Sequence, residues 1–214
     1  MSQSLFAFVT QSFITLFVVL DPIGMAPIFA AITRGETEEH RHHIAKRGTV
    51  IATVILVLFA VGGETFLELL GIGMPAFRIA GGILLFLVAL DMLFVHESAL
   101  RRTSETEDEE AERRRNVSVF PLAFPLIAGP GAMTSVVLLM GHAAGNPLRQ
   151  GLVLGVLIVV MGTLLGALLV TSRMVRFLGV TGVNVVTRVL GLILAALAVQ
   201  FVIDGAREAF SLGG

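Results

Sequence analysis

The chain is 214 residues long, 55% hydrophobic and 14% charged, with a mean hydropathy of +0.90 and a net charge of −1. A soluble domain carries about 25% charged residues, so a water-soluble globular fold is excluded and an integral membrane protein is expected. Cysteine, tryptophan and tyrosine are absent, which removes disulfides, thiol chemistry and the usual amphipathic aromatic belt.

The first apolar segment covers 5–33. Residues 1–4 carry no positive charge and no clear small-x-small cleavage site follows Leu20, so a span rather than a cleaved leader is expected. Thirty residues of helix extend about 45 Å, against an apolar layer of about 30 Å. The excess is resolved by a break at Asp21-Pro22-Ile23-Gly24-Met25-Ala26-Pro27, where two prolines and a glycine interrupt helix. Asp21 is the only formally charged side chain among the first 33 residues. A carboxylate at that depth costs about 2.5–3.5 kcal/mol on insertion scales, so it is a functional candidate.

Next comes a polar stretch, 34–47. Glu36, Glu38, Glu39, His40, His42 and His43 look like metal ligands on paper, but the pattern reads as a solvated helix start, and no resident metal is expected. Spans two and three are expected at 48–67 and 76–95. Leu70-Gly71 and then Arg78-Ile79-Ala80-Gly81 lead span three. Arg78 lies at a helix N-terminus, where the dipole disfavours a cation, so an acid should pair with it; Glu64 and Glu68, on the same outer side, are the candidates. Asp91 falls near the far end of this span. The segment 96–116 is a charged, solvated linker, running from Glu105 to Arg113-Arg114-Arg115.

Span four, 117–140, is broken as span one is, by Pro121, Pro125 and Gly129-Pro130-Gly131. Span five follows at 151–171 and span six at 188–205. Leu178-Gly179 and Arg188-Val189-Leu190-Gly191 lead span six, and Asp204 lies near its end. Arg188 is assigned the same role as Arg78, an ionic tie between spans, although no partner is evident. Lys and Arg concentrate in 34–47, in 96–116 and just before span six, leaving only Arg78, Arg149 and Arg207 on the other side. The richer loops are cytoplasmic by the positive-inside rule, which places both termini outside.

The Arg-x-x-Gly element recurs at an offset of 110 (Arg78, Arg188), and the proline breaks at an offset of 108 (Asp21-Pro22, Gly129-Pro130). Three spans per half force the second half to enter the membrane in the opposite sense. The expected fold is therefore all-α, with six transmembrane helices in two inverted three-helix repeats (1–95 and 117–214, joined by 96–116) and helices one and four discontinuous. Carriers with inverted repeats hold their substrate near the midplane, at broken helices in matching positions.

The substrate-binding candidates are accordingly Asp21, Pro22, Gly24, Met25 and Ala26 in the first break, and Gly129, Pro130, Gly131, Ala132 and Thr134 in the second. Half-helix N-termini offer free N–H groups and a positive dipole end. Two roles are open to Asp21 beside a ligand: pairing with an ammonium group, or carrying a coupling proton. A third is structural, as N-cap of the following half-helix. Thr134 and Ser135 can offer hydroxyls to a ligand or bond within their own helix.

At these motifs the chain resembles the MarC family of six-span membrane proteins, also called the neutral amino acid transporter family. The resemblance rests on Asp21-Pro22-Ile23-Gly24, Phe77-Arg78-Ile79-Ala80-Gly81-Gly82, Pro121-Leu122-Ala123-Phe124-Pro125, Ala128-Gly129-Pro130-Gly131 and Val199-Gln200-Phe201-Val202-Ile203-Asp204-Gly205, in family order. It implies an inner-membrane protein that carries small neutral amino acids of the glycine and alanine class, coupled to a proton. The bilayer, such an amino acid and the coupling proton are then the partners; no nucleic acid, cofactor or enzymatic activity is expected. A channel or exporter for another small solute is the alternative, since it would share the breaks and the repeat.

Overall fold

In the computed structural model, residues 4–94 and 118–211 are described, and no strand occurs among them. The helices are α1 (Leu5–Leu20), α2 (Pro22–Ile32), α3 (Glu38–Leu69) and α4 (Met74–Phe94). They are followed by a π-helical segment (Ser118–Ile127), α5 (Pro130–His142), α6 (Pro147–Leu169) and α7 (Thr171–Ser211). Among the described residues five helices are long and apolar enough to cross a membrane, with α1 and α2 together forming one span, Leu5–Ile32. The expected linker 96–116 lies outside the described residues.

Local chemistry sets the helix starts. Ser4, Thr37 and Asn146 cap α1, α3 and α6 by accepting from the amides of Ala7, His40 and Arg149, each satisfying an N–H that has no helical partner. Glu38 and Glu39 fill the first turn of α3, where carboxylates suit the positive dipole end. The acidic stretch before span two is thus a helix start, and no group of metal-ligating side chains forms among the described residues.

Two boundaries differ from expectation. The interruption in span one is a single residue wide: α1 ends at Leu20 and α2 begins at Pro22, so Gly24, Met25, Ala26 and Pro27 are already helical. Proline at the first helical position costs nothing, because its missing N–H would have had no partner. The segment expected as a broken span at 117–140 is two shorter pieces, the π-helical segment and α5, with Ala128 and Gly129 between them. The second difference is that the helix carrying span six begins well before 188. Helix continues from Thr171 through Leu178-Gly179 to Ser211, whereas Leu70-Gly71 does end α3, with Gly71 at φ +68°.

The largest interface joins α4 to α7. Helix α2 packs on α6 and α7, α5 on α3 and α4, α1 on α6, and the π-helical segment on α3, while α3 also meets α6. Glycines let α4 and α7 approach closely. A Cβ at Gly82 would stand 2.7 Å from the Ala198 carbonyl oxygen, and one at Gly205 would stand 2.9 Å from that of Pro75. Small residues at such contacts are how helices associate in lipid, where no hydrophobic force drives them together. Gly191 meets Ala89 and Met92, so residue numbers rise along α4 as they fall along α7, and the two helices run antiparallel.

Candidate functional site

Asp21 holds the first break. Its backbone is left-handed (φ 39°, ψ 67°), and it is the only non-glycine residue with positive φ among the described residues. Its amide donates to the Phe17 carbonyl at 3.0 Å, closing α1, and its carbonyl accepts from Met25 at 2.9 Å, opening α2. Its carboxylate turns back on α2, where Oδ1 accepts from the Gly24 amide at 2.9 Å. Asp is one of the few side chains suited to both tasks, tolerating the αL conformation and capping a helix. The group is buried, with 9% of its surface exposed.

Gly24 is the close-approach point. A Cβ there would overlap Asp21 Oδ2 and stand 3.1 Å from Thr187 Oγ1, so the carboxylate and a hydroxyl from α7 flank one α-carbon. Sequence reasoning missed Thr187. Its one signal was its place directly before Arg188, at the start of the repeated Arg-x-x-Gly element.

The second break is built differently. Gly129, in extended conformation (φ −78°, ψ 172°), caps α5 without any side-chain hydrogen bond, and Pro130 opens the helix. The amides of the first turn, including Gly131 and Ala132, therefore lack a side-chain acceptor of the kind Asp21 provides on α2. Gly131 faces α4, where a Cβ would meet Leu85 Cδ2 at 2.9 Å, and Thr134 is seated against Gly81. The hydroxyls of Ser12, Thr33 and Thr53 each donate to the carbonyl four residues back. Ser135 does not: its Oγ is fully buried and has no hydrogen-bond partner among the described residues.

The two breaks share one apolar core. Leu20 and Met25 on the first side, and Ala128 and Ala132 on the second, belong to a single buried cluster. Pro22, Gly24, Ala26, Gly131 and Thr134 are buried as well, while Gly129 is half-buried and Pro130 exposed.

The ionic ties need correction. Arg78 is buried, with 8% of its surface exposed, and its Nη1 lies 2.7 Å from Glu208 Oε2 on α7. Its partner is therefore neither Glu64 nor Glu68, both of which are exposed at the end of α3. The reason is the antiparallel pairing of α4 and α7, which sets the start of one beside the end of the other. Glu208 was legible only through that pairing. Arg188 lies well inside α7 rather than at a helix start, and it is exposed; the dipole argument does not apply to it and no ion pair involves it among the described residues. Asp204 accepts from Gln200 Nε2 at 2.8 Å, and Asp91 is exposed.

The sequence model of the MarC family integral membrane proteins matches residues 6–210. The chain belongs to the MarC family. It is 38% identical over 205 residues to a UPF0056 membrane protein of Archaeoglobus fulgidus, covering 94% of this chain and 93% of that one. The UPF0056 membrane protein YvbG of Bacillus subtilis is 35% identical over 209 residues, covering 96% and 97%. YhcE of Escherichia coli, another UPF0056 membrane protein, is 32% identical over 200 residues, covering 92% and 91%. No solved structure matches the chain. This MarC protein is thus an integral multi-pass membrane protein.

Proposed function

We propose that this MarC protein is a secondary carrier of small neutral amino acids of the glycine and alanine class, coupled to protons and working by alternating access in the bacterial inner membrane with both termini outside. The observation that carries the reading is the buried carboxylate of Asp21 at a one-residue helix break inside the first span. A structural role alone would be met by Asn or Ser without placing an acid in lipid.

The packing supports two inverted halves. Exchange α1, α2, α3 and α4 with the π-helical segment, α5, α6 and α7. The α2–α7 contact then maps onto α5–α4, α2–α6 onto α5–α3, and α1–α6 onto the π-helical segment with α3; α3–α6 and α4–α7 map onto themselves. On this reading, span four is the pair formed by the π-helical segment and α5, and it counterbalances α1 and α2.

The two breaks suit the two ends of a zwitterion. Asp21 already caps its own helix, so α2 does not present bare amides to an anion. The substrate carboxylate belongs at the uncapped first turn of α5, by Gly131 and Ala132, with the Ser135 hydroxyl one turn further on. The ammonium group belongs at Asp21, with Thr187 beside it. Gly24 and Gly131 have no room for a Cβ, which favours a small substrate, in line with what the family resemblance implies. A proton on Asp21 and a substrate ammonium compete for the same charge, which couples the two.

Purified protein in proteoliposomes tests this. Saturable glycine or alanine counterflow is expected, with net uptake that follows an imposed proton gradient and collapses with an uncoupler. Absence of flux for both amino acids overturns the substrate assignment, and non-saturable flux without counterflow assigns a pore instead.

A further inference from the structure

A polar cavity of about 300 Å³ lies away from the two breaks, where α2 ends and α7 begins. It is lined by Thr33 and Arg34 after α2, Glu36 and Arg41 around the start of α3, and Thr171, the first residue of α7. The floor is closed: Thr33 and Thr171 are buried, and their hydroxyls donate to the Phe29 and Leu168 carbonyls at 2.6 and 2.8 Å. The walls carry the charge. Arg34 is exposed and Arg41 half-buried, opposed by the single carboxylate of Glu36, whose Oε2 lies 3.8 Å from His40 Nε2. Helices α2 and α6 end beside the cavity and α3 and α7 start there, so their dipoles offset one another and the positive charge is that of the two guanidinium groups.

The depth of this cavity is informative. The apolar spans Leu5–Ile32 and Pro147–Leu169 both end beside it, so it sits at the level where helices leave hydrocarbon and meet headgroups. Arginine forks match phosphate oxygens in geometry as well as charge, and basic pockets between membrane helices bind lipid headgroups. We propose that the cavity walled by Arg34 and Arg41 binds a phosphate group, carried by an anionic phospholipid or present as free phosphate. The site is independent of the transport reading, since none of its residues belongs to either break. Its occupant would tie the end of the broken first span to the start of α3 and to the α6–α7 turn.

Full-length protein is purified and its bound lipid measured by native mass spectrometry from phosphatidylglycerol and from phosphatidylcholine vesicles; in a second arm, inorganic phosphate is titrated against thermal stability in detergent. Selective retention of phosphatidylglycerol assigns the lipid source, whereas a stability shift with phosphate alone assigns the free ion. Either effect should weaken by about fivefold in Arg34→Ala and about thirtyfold in the Arg34→Ala/Arg41→Ala variant, and should strengthen in Glu36→Gln. Arg34 is exposed, so the single variant keeps the test valid if the double variant does not fold. No preference for phosphatidylglycerol together with no phosphate shift overturns the proposal, as does an effect undiminished in Arg34→Ala.

Discussion

Asp21 combines a conformational, a capping and a charge role, and three substitutions separate them. Asn keeps the capping oxygen and tolerates φ 39°, losing only the charge; its stability is expected within about 0.5 kcal/mol of wild type, since Asn and Asp cap equally well. Gly accommodates the backbone but leaves the Gly24 amide without its 2.9 Å acceptor, at a cost of about 1 kcal/mol. Ala loses the acceptor, about 0.5–2 kcal/mol, and also places a Cβ in the left-handed region, about 1–2 kcal/mol. The Ala variant should therefore be about 1.5–4 kcal/mol less stable than wild type. Equilibrium unfolding in mixed micelles gives the expected order: wild type close to Asn, then Gly, then Ala. Counterflow and proton-driven uptake of the same four proteins read the charge, and Asn should fold normally yet lose gradient-driven uptake. An Ala variant as stable as Asn would refute the capping geometry, and an Asn variant with wild-type gradient-driven uptake would refute the ionic role.

A double-mutant cycle on Arg78→Ala and Glu208→Ala should give a coupling of about 1–2 kcal/mol, because the 2.7 Å contact has one well-buried and one partly exposed partner; a cycle on Arg78 and Glu68 should give none. Gly82→Ala should destabilise by about 1–3 kcal/mol, since its Cβ would press on the Ala198 carbonyl and force α4 from α7. Gly155→Ala, with open space around it, should be neutral or stabilise by about 0.4–1 kcal/mol in thermal or denaturant unfolding. Thr187→Val should raise the KM for counterflow at unchanged protein stability, while Thr187→Ser should restore it; an unaltered KM in the Val variant removes Thr187 from the site.

What the sequence revealed, and what it hid, divides along physical lines. Asp21 was legible because one charge in a long apolar run has no cheap explanation, and Pro22 and Gly24 beside it marked the break. The width of the break was not legible. Proline is disruptive inside a helix and welcome at its first position, and only the backbone reveals which applies; Pro22 starts α2 and Pro27 rides within it. Leu178-Gly179 does not repeat the helix end at Leu70-Gly71. There Gly71 adopts positive φ and ends a helix, whereas Gly179 is simply helical, at a cost of only about 1 kcal/mol relative to Ala. Glu64 and Glu68 were matched to Arg78 because they share its side of the membrane, yet the partner is 130 positions away. A shared side does not decide ion pairs between helices; their packing does, with a register set by glycine contacts such as Gly82 with Ala198.

The difference between the two breaks is more telling than their likeness. Each opens a helix on a proline, yet only the first supplies its own side-chain acceptor. With Oδ1 on the Gly24 amide, Asp21 offsets the positive end of α2 from within. The N-cap of α5, Gly129, makes no such side-chain hydrogen bond. On the carrier reading the two breaks thus present unlike ends, an acid at one and a terminus without a side-chain cap at the other, and that polarity would orient a zwitterion. Introducing a matching acid at Gly129 should therefore abolish amino acid binding even where the fold survives, because Gly129→Asp would fill the one terminus left open. Isothermal titration with alanine on the folded variant is the check, and binding equal to wild type would show that the α5 terminus takes no part.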